Sequence, residues 1–221
     1  MLTTEQMYEK IMAAIVEHRL PPGTKLGEDR LAEIFGVSRA KVRQLLARLA
    51  HEGIVTMQPN RGAFVSEPTV EQAREIFELR KLLEPAIVKA VARNIDKAAL
   101  KRLHTHLTRE AQASGKGDHR ALARLTGEFH LLLAELAGNL TTLRVMRELE
   151  TLTCLIIYLY DGPAMPACRD NDHVAITAAV AKGDGARAAA LMLAHLSEVE
   201  GCLDVMREPP REFDLADALQ D

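Results

Sequence analysis

Three of the eight histidines, His130, His173 and His195, stand at positions where imidazoles could do chemistry together. At helical spacing His130 shares a face with Thr126, Leu133 and Ala137. His173 shares one with Ile176, Thr177 and Val180, and His195 one with Ala188, Leu191, Met192 and Val199. Each ring is thus turned toward an apolar interior from a different segment. A single histidine in such a stripe is usually a hydrogen-bonded core residue. Three of them admit a second reading, because metal sites in helical bundles are assembled from inward side chains on facing helices. Three neutral imidazoles suit Zn²⁺ or Ni²⁺ and leave coordination positions open to water or a ligand oxygen. The other five, His18, His51, His104, His106 and His119, fall near helix ends or among charges and read as solvated. Arg80, in "ELRKLLE", offers either a bidentate anchor for an anion or a surface pair with Glu84 at i,i+4.

A second group lies in "GVSRAKVRQLLARLAHEGIV", where Arg39, Lys41, Arg43 and Arg48 fall with no acid between Glu33 and Glu52. On a helical wheel Val42, Leu45, Leu46 and Leu49 form the inward stripe. Arg39 and Arg43 share one flank, Lys41 and Arg48 the other, and Ala40, Gln44 and Ala47 face outward. Small outward residues let a helix approach base edges, Arg and Gln can read them, and flanking charges meet phosphates. Arg61, beside Gly62, is placed to reach the backbone or minor groove. The plain alternative is a solvated helix face.

The elements that carry these residues follow from punctuation. Positions Met7, Ile11, Ala14, Ile15 and His18 at helical spacing predict a helix over 4–19, which "LPPGTKL" breaks. A second helix fits 28–35, ended by Gly36, and Ser38 caps a third to about residue 51. "IVTMQ" and "GAFVSE" read as a hairpin. Three helices and a hairpin make a winged helix-turn-helix. Beyond "SEPT" the texture is all helical, with helices expected at 69–92, 96–113, 118–137, 141–160, 170–182 and 184–206. The expected fold is therefore mainly α: a winged helix-turn-helix over 1–67, an antiparallel six-helix bundle over 68–208, and a polar, frayed tail over 209–221.

Composition agrees with an ordinary globular chain: 221 residues, 48% hydrophobic and 27% charged. No apolar run is long enough to span a bilayer, so a cytoplasmic protein without a membrane role is expected. Cys154, Cys168 and Cys202 form no C-x-x-C pair and read as buried free thiols. The net charge of −3 hides an asymmetry: residues 1–66 carry +2 and the remainder −5, as if two modules had different partners.

The stretch "LPPGTKLGEDRLAEIFGVSRAKVRQLLARLAHEGIVTMQPNRGAFV" resembles the winged helix of GntR-family bacterial transcription regulators, which runs L-x-P-G-x-x-L, L-A, V-S-R-x-x-V-R, L-x-x-x-G and N-R-G-x-x-V. By that resemblance Arg39, Arg43, Arg61 and Gly62 hold the family's DNA-contacting positions. Asp29 stands where the family often has Arg, with Arg30 one place later. "EIFELRKLLEPAIVKAVAR" and the six-helix count resemble the FCD effector domain of the FadR-type branch in its VanR-like form. Many FCD domains carry Asp-x-x-x-His and two further histidines as metal ligands. His130, His173 and His195 fall on the histidine positions, and Thr126 on that of the Asp.

The resemblance implies a homodimeric regulator of double-stranded operator DNA, not an enzyme. It would act as a repressor and respond to a small organic or sugar acid at a divalent metal, with Arg80 and Thr126 near the effector. Two other functions stay open at this stage. One is a metal-dependent hydrolase using the three histidines, against which no inward carboxylate is evident beside them. The other is a regulator that senses the ion itself.

Overall fold

Capping side chains set where the helices begin. Thr3 accepts from the Gln6 amide while Gln6 returns the bond, and α1 runs Thr4–Val16. Ser38 accepts from the Lys41 amide and starts α3, Arg39–His51, after the left-handed Gly36 has closed α2, Glu28–Phe35. In this computed structural model, which describes residues 2–160, 170–203 and 215–219, three short strands complete the module. They are β1 (Lys25–Leu26), β2 (Val55–Gln58) and β3 (Gly62–Val65). The sheet order is β1-β3-β2, antiparallel, with Val55 opposite Val65 and Lys25 opposite Phe64. The hairpin matches expectation. β1 is not expected from "LPPGTKL", which reads as a break alone; two residues past the turn still pair with the wing.

Thr69 opens α4 (Val70–Asn94) with a second capping box. Asp96, Asp118 and Asp184 cap α5 (Lys97–Lys116), α6 (His119–Leu136) and α9 (Gly185–Gly201). α7 (Leu140–Tyr160) and α8 (Asp170–Ala181) complete the six-helix set. Among the described residues no helix is long and apolar enough to cross a membrane.

The first core gathers Met7, Ile11 and Ile15 from α1, Leu31 and Phe35 from α2, Val42, Leu45, Leu46 and Leu49 from α3, and Val55 and Val65 from the wing. Leu155 of α7 belongs to the same core, so the winged helix is seated on the bundle through α1. Tyr160 of α7 donates to the Pro68 carbonyl at the connection, 2.8 Å away. A second core joins α4 to α9 around Phe129, Met146, Ile176 and Met192.

Two expectations need correction. The tail was read as polar and frayed, yet Leu215–Ala218 forms a short helix, α10, and Ala218 and Leu219 are buried in the first core. Leu215, Ala218 and Leu219 are apolar residues that a solvent-exposed strand of chain would leave uncovered. The thiols were all expected buried; Cys154 is, and burial with Glu150 nearby pushes it up to about 12, but Cys202 is exposed at the end of α9. Cys168 and the "DGPAMP" break lie outside the described residues, as do the last residues expected in α9 and most of the tail.

Candidate metal centre and nucleic-acid interface

The three histidines meet. His130 on α6, His173 on α8 and His195 on α9 are all buried, and one ligand nitrogen from each lies within 4.8 Å of the others. His173 stacks on Phe129 at 3.9 Å between ring centres, which fixes its plane. Each Nδ1 faces a carboxylate: His130 to Glu84 at 2.5 Å, His173 to Glu110 at 3.0 Å, and His195 to Asp172 at 3.2 Å. Burial opposes ionisation of Glu84, but Arg80 and His130 hold it down to about 2. Glu110 is also held below the usual range against its burial, by hydrogen bonds from His106 and His173. Ionised carboxylates accept, so the ring protons of His130 and His173 sit on Nδ1 and their Nε2 lone pairs are the ones a metal would take. Burial pushes His130 down to about 4 and, with His130 and His173 close by, His195 down to about 2, so both are neutral near pH 7.

The donor set therefore fits a divalent metal: three buried imidazoles from three helices, each held from behind by an acid. The expectation that no carboxylate lies beside them is corrected. Glu84, Glu110 and Asp172 all do, and His106, expected to be solvated, is buried with its Nε2 2.8 Å from the Leu125 carbonyl and 3.4 Å from Glu110. Thr126, one turn before His130, is half-buried and donates to the Ala123 carbonyl.

Beside His130 and His195 lies a cavity of about 40 Å³. Arg80 forms part of its wall and is buried, contrary to the surface pair considered above. Its guanidinium lies 2.6 Å from Glu84, 2.5 Å from Glu150 and 3.1 Å from the Thr153 hydroxyl. Burial disfavours its charge, yet Glu150 and Glu84 hold it firmly protonated. Burial together with Glu84 pushes Glu150 up to about 8 against the pull of Arg80. The cluster thus sets one guanidinium between two buried acids, of which Glu84 is the more firmly ionised. Glu84, His130 and Glu150 also place ligand atoms within 4.8 Å of one another, but there the cation already present is Arg80.

At the other end, α3 buries Val42, Leu45, Leu46 and Leu49 and exposes Ala40, Gln44 and Ala47, as its periodicity predicts. Arg39 and Arg43 stay more than half exposed. Arg39 pairs with Asp29 at 3.0 Å and Arg43 with Glu28 at 2.7 Å, both acids at the start of α2. Lys41 and Arg48 turn toward α1: Lys41 donates to the Leu2 carbonyl at 2.5 Å, and Arg48 lies 3.7 Å over the Tyr8 ring and pairs with Glu5. Arg61 is exposed at the wing, beside Gly62 with φ 98°, a backbone conformation that side chains rarely adopt.

Residues 3–65 match the family of bacterial regulatory proteins, gntR family, and residues 75–198 match the FCD domain. The chain belongs to the GntR family. Among its relatives, HTH-type transcriptional regulator LutR of Bacillus subtilis is 31% identical over 206 residues, covering 83% of this chain and 93% of that protein. HTH-type transcriptional repressor RspR of Escherichia coli is 26% identical over 205 residues, covering 92% and 90%. The crystal structure of a putative GntR regulator from Rhodococcus sp. superposes with a TM-score of 0.78 at 25% identity, over 90% of this chain and 95% of that one. This GntR-family chain is a transcriptional regulator with an FCD domain, and the hydrolase alternative falls.

Proposed function

We propose that this GntR-family chain is a homodimeric repressor that binds double-stranded operator DNA and is controlled by a small organic or sugar acid. The acid binds at a Zn²⁺ or Ni²⁺ centre formed by His130, His173 and His195. The observation that carries the effector side is the trio of carboxylate-backed imidazoles next to a cavity. When bound, the ion supplies a Lewis acid with open positions that attract a carboxylate oxygen. The chain's own residues orient the imidazoles, and Thr126 leaves one position that an Asp would fill. Arg80 is a wall rather than the principal anion anchor, because two acids already engage it.

On the DNA side the exposed Arg39, Arg43 and Gln44 suit base edges, Arg61 and Gly62 suit the backbone, and Lys41 can swing from Leu2 to a phosphate. One winged helix makes too few contacts for selective binding, so a two-fold dimer on a two-fold site is the economical arrangement. The repressor sign draws support from the name of RspR.

The test is selection of duplexes from a random library by the zinc-loaded chain, followed by titration of the selected duplex with carboxylates. A site with two-fold half-sites, released by an acid, is expected. No selected sequence would remove the operator reading, and release by metal alone would make the ion the signal.

On that duplex, Arg43→Ala is expected to weaken binding by about 1–3 kcal/mol. Asp29→Asn is expected to do the opposite. It frees Arg39 from an acid that competes with DNA, and tightens binding by about 1 kcal/mol or less, the scale of an exposed pair. Fluorescence anisotropy at several salt concentrations checks both, and a weaker complex for Asp29→Asn would show that the pair positions Arg39 instead of occupying it.

A further inference from the structure

The turn after α1 belongs to the DNA-binding module but is held at three consecutive residues by other parts of the chain. Glu17 pairs with Arg124 of α6 at 3.2 Å. His18 donates to the Cys154 carbonyl of α7 and meets the Tyr158 ring edge-on, 5.3 Å between centres. Arg19 pairs back to Glu17 at 2.8 Å and donates to the Ala218 carbonyl after crossing to the tail. Leu20, the next residue, is fully buried in the winged-helix core, so no slack separates this turn from the module that carries α3.

His18 also lines the cavity beside His130 and His195. The other lining residues sit on α4, α6, α7 and α9; His18 is the contribution from outside the bundle among them. Its backbone is left-handed, φ 56°, the conformation that commonly closes a helix, and the amides of His18, Arg19 and Leu20 bond back to Ile15 and Ala14. The cavity itself is small. At about 40 Å³ it has room for roughly three waters by the measure that gives each some 10–15 Å³. An acid of more than a few non-hydrogen atoms therefore has to move a wall. Helix backbones packed into two cores resist that, whereas one half-buried ring on a turn does not.

We propose that His18 is the movable wall of the effector pocket: it limits the size of acid the pocket accepts unstrained, and a larger acid binds by displacing it, which shifts the winged helix. This rests on the carboxylate reading above. Binding energy spent on displacing His18 is the differential interaction that lets the ligand bias one placement of the module over another.

The test uses the full chain loaded with zinc, acetate and citrate as the small and large probes, and the variants His18→Gly and His18→Asn, both of which tolerate positive φ. Isothermal titration should show citrate binding His18→Gly about tenfold more tightly than the parent, with His18→Asn between. Acetate, which needs no displacement, should change by less than about twofold. In the parent, citrate but not acetate should speed hydrogen exchange at the amides of His18, Arg19 and Leu20, which now bond to Ile15 and Ala14. Citrate affinity equal in parent and variants, or exchange at these amides unchanged when citrate binds, would overturn the role of His18 alone. Failure of both acids to bind any of the three proteins would overturn the carboxylate reading, and this one with it.

Discussion

Protein purified without an affinity tag carries about one divalent ion per chain, and the His130→Ala/His195→Ala variant carries none. That is the result expected of elemental mass spectrometry if the buried trio is a metal centre. Three ligand nitrogens within 4.8 Å of one another are crowded in a way that separate core histidines have no reason to be. What argues for an ion is the arrangement behind them. Glu84, Glu110 and Asp172 each take an Nδ1, the arrangement that fixes tautomer and ring direction in metal-bound histidine. Removing that support without touching a ligand should still be felt: Glu110→Gln is expected to weaken zinc binding by about 10–100-fold. Thr126→Asp should act in the other direction, adding a charged oxygen one turn before His130 and tightening zinc by at least about tenfold. Circular dichroism confirms that each variant is folded. A parent free of metal, with unchanged melting in chelator, would leave the histidines as core residues whose hydrogen bonds are satisfied by the three acids.

The largest expected loss of stability belongs to Arg80→Met. Glu84 and Glu150 are both about as buried as the core around them and share one guanidinium. Taking it away leaves two acids side by side in a medium that cannot solvate a charge, a change that costs about 3–5 kcal/mol. Denaturant midpoints read this directly, with the slope unchanged if the unfolding remains one transition. The companion substitution separates charge from packing. Burial and the neighbouring Glu84 raise the Glu150 carboxyl toward its neutral form, and Glu150→Gln puts a permanently neutral group of the same shape there. It should cost about 1 kcal/mol or less, and in the Arg80→Met background it should recover part of the loss. If Arg80→Met were neutral, the cluster would be solvated in a way its burial does not suggest.

What could be read from the sequence was governed by how local each feature is. The winged helix was legible because its signals are adjacent: Ser38 as a cap, Gly36 as a stop, a stripe of Val42, Leu45, Leu46 and Leu49, and a turn at Gly62. The histidine trio was legible as three separate stripes, and the fold supplied their meeting. The acids behind the rings were not expected, because none stands on the same helical face as the ring it supports. The signal existed: Glu84 interrupts the stripe Phe77, Arg80, Ile87, Val88, Val91, and Glu110 the stripe Leu103, His106, Ala113. A charge inside an apolar stripe is a buried charge with a partner elsewhere. For His18 the signal went only part of the way: it continues the stripe of Met7, Ile11, Ala14 and Ile15, but its neighbours on α7 lie more than a hundred residues along the chain and its place in the cavity depends on how α1 docks. Asp29 was noticed only as a departure from the family pattern; its pairing with Arg39 needed the angle between α2 and α3.

The seating of Leu155, Ala218 and Leu219 in the first core reverses the usual order of events during synthesis. The winged helix leaves the ribosome first, yet the interior that shapes it is closed by residues made much later, from α7 and from the short helix after residue 214. A nascent chain that has emerged only as far as the wing holds every DNA-facing side chain but has an open seam along α1. The interior of the winged helix is therefore closed only once α7 and α10 have been made.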